Sequence, residues 1–174
     1  MVGRPMADEY GAFYAEYIGN VIESDPVAVL ESQGAATQSF LAGISEEQSL
    51  FRYAPGKWSI REIVGHLADA ERVFTYRAMR IGRGDETPME GFDEDAYVSA
   101  ATFDRLTLAE LRDDLANVRR ASLTLFRGLD PSVWNRRGIA NNARVSLRAL
   151  AYIIPGHERH HLRVLKERYQ LQGE

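Results

Sequence analysis

Three of the chain's four histidines stand where they can close on one metal ion: His157 and His161 are four residues apart in a late helical stretch, and His66 lies in an earlier one. An α-helix turns about 100° per residue, so side chains at i and i+4 leave from nearly one face, with Cβ atoms about 5–6 Å apart. Two imidazoles rarely make a site alone. A third from a neighbouring helix completes a three-nitrogen set that leaves positions open for water or substrate. The chain contains no cysteine, which removes disulfides, cysteine nucleophiles and thiolate ligands together, so any ion must be held by His, Asp or Glu. The competing structural reading is real, because a single buried His bonded to a backbone carbonyl is common and His-x-x-x-His arises by chance in many helices. Three neutral imidazoles in one core, however, leave several polar nitrogens needing partners, and one ion supplies them together.

These rings must be positioned by helices, and helical signals run almost throughout the sequence. A short N-terminal helix is marked by Tyr10, Phe13, Tyr14, Tyr17, Ile18 and Val21. Asp25-Pro26 reads as N-cap and first residue of a long helix to about Gly43, with Val27, Leu30, Thr37, Leu41 and Ile44 on one stripe. After the break at Tyr53-Ala-Pro-Gly56, Ser59-Ile-Arg-Glu62 fits a capping box that starts a second long helix, to about Ile81, with Ile63, Leu67, Ala70 and Phe74 inward. Gly82 to about Phe103 reads as a long connection holding a short helical turn, and loops of that length are often functional. Thr107-Leu-Ala-Glu110 is another capping box, and Leu108, Leu111, Leu115, Val118, Leu125 and Leu129 mark the third long helix. Asp130-Pro131 turns the chain, Trp134 plugs a bundle end, and a polar stretch with Gly138 and Asn141-Asn142 leads to Ser146, which caps a fourth long helix to about Leu171. The expected fold is all-α: a four-helix bundle with a long crossover connection and a short N-terminal helix, in one domain over 1–174.

The seam of the fourth long helix, read in steps of three and four, is Leu147, Leu150, Ile154, His157, His161, Val164 and Arg168. His160 falls about 100° round from His161, on a flanking face with Ile153 and Glu167. On the second long helix His66 shares the seam of Ile63, Ala70 and Val73. If those two helices are neighbours, the three rings converge inside the bundle, where bundle proteins commonly build metal sites.

Composition narrows the partners. A net charge of −4, with arginines scattered among acids, disfavours nucleic acid. No apolar run approaches the roughly 20 residues of a membrane helix, and MVGRPMADEY lacks the apolar stretch of a secretory signal, so no membrane partner and a cytoplasmic location are expected.

Three blocks carry a family resemblance: Lys57-Trp-Ser-Ile-Arg-Glu-Ile-Val-Gly-His-Leu-Ala-Asp-Ala-Glu71, Gly91-Phe-Asp-Glu-Asp-Ala-Tyr97, and Ala151-Tyr-Ile-Ile-Pro-Gly-His-Glu-Arg-His-His-Leu162. In this order they resemble the DinB-like family of metal-binding four-helix bundles, over about Tyr17 to Tyr169. The resemblance implies a homodimer holding a divalent metal ion through His66, His157 and His161. It also implies kinship with bacillithiol- and mycothiol-dependent S-transferases and a mycothiol-dependent maleylpyruvate isomerase. A three-histidine set suits Zn, Ni, Fe or Co. The expected function is a metal-dependent transferase that activates a low-molecular-weight thiol toward an electrophilic small-molecule substrate. The alternatives are a metal-dependent hydrolase and a non-catalytic bundle whose ion is structural or whose pocket binds a ligand. With no cysteine in the chain, the thiol must come from outside.

Pro155, two residues before His157, departs from the pattern of a continuous helix. An interior proline removes a hydrogen bond and crowds the carbonyl four residues back, at a cost of up to about 3 kcal/mol. A kink that aims the ligands, a spoiled site, and a new helical start at Pro155 all stay open. Among lesser candidates, Asp69 lies about 60° from His66 on the helix and Glu71 about 140°, so Asp69 is the better partner for an imidazole. Glu158 points away from the ligands and reads as half of an ion pair. Trp58, Tyr97 and Tyr152 are candidate pocket walls. Arg148, Arg159 and Arg163 are candidate carboxylate binders that more simply belong to a solvated face.

Overall fold

The computed structural model describes residues 2–171, leaving the first residue and the last three of the 1–174 span outside the description. Its helices begin where local chemistry starts them. The Asp25 carboxylate accepts from the amides of Val27 and Ala28 to open α2 (Pro26–Ala42). Ser59 and Glu62 form the reciprocal box that starts α3 (Ile60–Gly82). Thr107 and Glu110 do the same for α5 (Leu108–Arg127), and Ser146 caps α6 (Leu147–Arg168). A five-residue helix, α1 (Ala15–Gly19), follows two 3₁₀ turns near the N-terminus. The expected short turn in the crossover is an eight-residue helix, α4 (Glu94–Ala101), capped by Asp93.

The four long helices close a ring in which α3 packs on α5 and α6, and α2 packs on the same two from the other side. The neighbour relation needed to bring His66 to His157 and His161 is therefore present. Ile63, Leu67, Ala70 and Phe74 are buried along α3 as expected, and Leu108, Leu111, Leu115 and Val118 along α5. On α2 the buried face is rotated: Val29 and Gln33 lie inside with Leu30, Thr37 and Leu41, and Val27 is only half-buried. Gln33 comes inward because the interior there is polar. Trp134 is buried and stacks on Phe126, with ring centroids 5.9 Å apart.

Two features depart from a plain bundle. The polar stretch before α6 is a β-hairpin, β1 (Arg137–Ala140) and β2 (Ala143–Ser146), paired antiparallel from Arg137 opposite Ser146 to Ala140 opposite Ala143. Asn141 and Asn142 form its two-residue turn, both with positive φ, a backbone that asparagine tolerates better than most residues. The second is α6, which continues as one helix through Pro155. Leu147 and every residue from Ala149 to Glu158 are buried, because α1 covers the side of α6 that the bundle leaves open. The approach is close enough that a Cβ added at Gly156 would meet the Tyr17 carbonyl oxygen at 1.9 Å, so only glycine lets the two backbones touch.

Candidate metal centre

His66 projects from the second turn of α3, and His157 and His161 project from successive turns of α6. Their Nε2 atoms meet: His66 to His157 is 3.0 Å and His161 to His157 is 3.1 Å. His66 and His157 are buried, and His161 is half-buried. Burial pushes the His66 pKa down to about 4, against an upward pull from Asp95. Burial holds His157 and His161 well below the ordinary value too, each further lowered by neighbouring histidines. All three rings are thus neutral near pH 7, the state in which a nitrogen lone pair can ligate.

The donor set fits a divalent ion. Two nitrogens about 2.1 Å from one ion, at coordination angles near 90–110°, stand about 3.0–3.4 Å apart; the two separations to His157 match, and all three nitrogens lie within 4.8 Å of one another. Without an ion, the single Nε2 of His157 faces two other Nε2 atoms and can serve them only as one donor or as a shared acceptor. His160 is not part of this convergence. Its Nδ1 lies 3.2 Å from a Glu16 carboxylate oxygen, on the flanking face expected for it.

The centre opens into a chamber of about 420 Å³ walled by Tyr14, Tyr17, Trp58 and Phe74. Trp58 stacks near-parallel to His161, with centroids 6.3 Å apart, and lies 4.8 Å from the His66 ring. Tyr169 fixes it in place by donating its hydroxyl to the Trp58 carbonyl at 2.6 Å. A second hollow of about 280 Å³, reaching Lys57 and Asp95, shares Trp58, His160 and His161 with the first.

Other candidates lie elsewhere. Tyr152 is wholly buried and donates to the Glu23 carbonyl, while Tyr97 is exposed against Phe92. Asp69 pairs with Arg72 rather than an imidazole, and burial raises its pKa. Arg148 is bound to Glu9, Arg159 to Glu23 and Gln33, and Arg163 to Glu16, so each is occupied by the chain itself. Glu158 does form an ion pair, but a buried one. Arg119 binds it at 2.7 Å and Glu71 at 2.8 Å, and Gln33 and Thr37 donate to the remaining Glu158 lone pairs. Burial opposes the charge on Arg119, but Glu158 and Glu71 outweigh it and hold the guanidinium pKa above its ordinary value. None of these network residues lines the chamber, but Glu71, Arg119 and Glu158 border a small hollow together with His157. The sequence reading missed Arg119, whose only signal was a charge on the buried stripe of α5, one residue after Val118.

A sequence model of the DinB superfamily matches residues 30–165, most of the chain and all three histidines. The chain belongs to the DinB superfamily. Among solved structures, this DinB protein is similar to YfiT from Bacillus subtilis, described as a probable metal-dependent hydrolase with an unusual four-helix bundle topology. The TM-score is 0.73 at 21% identity, over 84% of this chain and 87% of that one. It is also similar to a mycothiol-dependent maleylpyruvate isomerase, with a TM-score of 0.64 at 16% identity over 78% of this chain and 57% of that one. At these identities the likeness establishes the bundle fold. No curated protein matches the sequence.

Proposed function

We propose that His66, His157 and His161 hold one divalent ion and that this DinB protein is a metal-dependent enzyme for small molecules, transferring a substrate group to a low-molecular-weight thiol. The observation that carries the reading is the meeting of three neutral Nε2 atoms at the wall of an open chamber. Three neutral ligands leave an ion its full positive charge, and when bound it would supply Lewis acidity that lowers the pKa of a water or thiol reaching its open side. The chain itself supplies the rest. Trp58 and Tyr17 pack the imidazoles from both sides and shield them from bulk water, and Phe74 closes the floor against His157. Two hollows meeting at Trp58 and His161 support a reaction of two reactants, one in each. Water as the nucleophile is the second reading, favoured by the likeness to YfiT. A homodimer, implied by the family resemblance, belongs to the same proposal.

Metal content measured by mass spectrometry on protein purified without added metal or chelator tests the centre. One ion per chain is expected in the wild type and in His160→Ala, and loss is expected in His66→Ala, His157→Ala and His161→Ala. Equal loss in all four variants would contradict the assignment. Consumption of a test electrophile only when thiol is present would support transfer, and consumption without thiol would favour hydrolysis.

A further inference from the structure

The three histidines and Arg77 all line the larger chamber. Arg77 lies eleven residues beyond His66 on α3, which is about 20° round and about 16 Å along the axis, so both project from one face. Helical side chains lean toward the N-terminus, which turns the guanidinium back toward the histidines. It is 3% exposed, and its hydrogen-bond partners are neutral: it donates to the Glu90 carbonyl at 2.7 Å and to the Tyr14 hydroxyl at 3.4 Å. No ion pair among the described residues involves it. The other buried guanidiniums do have carboxylates, Glu46 for Arg61 and Glu71 with Glu158 for Arg119. A buried guanidinium with no carboxylate bonded to it, beside an open chamber, can receive an anion.

We infer that Arg77 anchors the carboxylate of a small monocarboxylic substrate whose apolar body lies along Phe74 and Tyr14, with its reactive end toward His66. The inference rests on the three-histidine chamber being the reactive site. A planar guanidinium matches a carboxylate in geometry as well as charge, and the aromatic walls suit a ring or unsaturated chain. The chamber is near the small end of ligand pockets, which run about 300–1,000 Å³. Glu94, exposed at the rim in the first turn of α4, opposes a second negative charge, so monoanions are selected over dianions.

The test is equilibrium binding of 3-phenylpropionate, its neutral amide 3-phenylpropionamide, and the dianion phenylsuccinate, each to metal-loaded and to chelator-treated protein. Calorimetry and intrinsic tryptophan fluorescence, to which Trp58 in the chamber wall contributes, serve as readouts. The acid is expected to bind more tightly than the amide. Arg77→Gln should weaken the acid about ten- to a hundredfold and leave the amide unchanged, and Arg77→Lys should restore part of the preference. Phenylsuccinate should bind more weakly than the monoacid, and Glu94→Gln should narrow that gap. Because Arg77 also ties down the Glu90 carbonyl, retained amide binding is the check that the chamber survives. If Arg77→Gln fails to fold, Arg77→Lys decides by whether the acid's advantage shrinks. Acid binding that persists after chelation and depends on Arg77 supports the anchor even if the metal reading fails. Acid binding that disappears on chelation yet is unchanged in Arg77→Gln overturns the anchor and leaves the metal centre standing. Equal binding of acid and amide, or none of either by the wild type, also overturns it.

Discussion

At the scale of single residues, the fold opposes protonation of all three imidazoles. His66 is depressed from the ordinary 6.5 to about 4, and His157 and His161 are lowered as well. In ion-free protein, the unfolded chain binds protons at these rings in a pH range where the folded chain does not. The contribution of His66 to stability is therefore present above about pH 6.5 and is lost as pH falls toward about 4, and His157 and His161 add to the loss in the same direction. Urea midpoints of chelator-treated protein should drop between about pH 7 and about pH 4.5, and His66→Phe should flatten part of the fall. Identical pH profiles for wild type and variant would sink this account. The same protons compete with the ion, so metal release should accompany the descent.

Helices meet through two contacts with measurable consequences. Arg119 on α5 binds Glu71 on α3 and Glu158 on α6, and it also donates to the Leu30 carbonyl of α2, so one side chain ties all four long helices. Arg119→Met leaves two buried carboxylates without a counter-ion, for an expected loss of about 3–5 kcal/mol. Adding Glu71→Gln and Glu158→Gln should recover part of that loss, as read by denaturant unfolding. If the single variant unfolds like the wild type, the network is not supporting the bundle. The second contact is the approach of α1 to α6 at Gly156. Gly156→Ala must push the Tyr17 backbone away, with an expected cost of about 1–3 kcal/mol. Because the Tyr17 ring packs on His157 at 5.2 Å, metal affinity should weaken together with stability. A stability loss with unchanged metal affinity would show that α1 does not support the centre.

For the molecule as a whole, an ion bridging α3 and α6 stabilises only the folded chain. By mass action it should contribute about 4 kcal/mol at a thousandfold excess over its dissociation constant. Chelation should therefore lower the melting temperature by several degrees while the far-ultraviolet helical spectrum at room temperature stays nearly unchanged, since two buried clusters pack the bundle without it. A melting temperature indifferent to chelator would argue against an ion between these helices. Among the described residues, no helix is long and apolar enough to cross a membrane.

Much was legible in the amino-acid order because helix starts and faces are local properties. Ser59 with Glu62, Thr107 with Glu110, and Asp25 before Pro26 mark where backbone amides need acceptors. The i, i+4 spacing of His157 and His161, in phase with Leu150 and Ile154, puts both rings on a face that must be buried. What tertiary structure alone decided is which faces oppose one another. Asp69 looked nearer to His66 on the wheel, but Glu71 is the carboxylate facing α5 and α6. Gln33 lies inward because Glu158 is there to receive it. Arg119 and Arg77 read as ordinary helix charges until the burial and the partners, or lack of them, are set by chain segments 39–89 and 13–63 residues away. Pro155 left three outcomes open since its local cost argues for a break. Burial on all sides, including the covering of its neighbour Gly156 by α1, is a non-local gain that sequence spacing does not display.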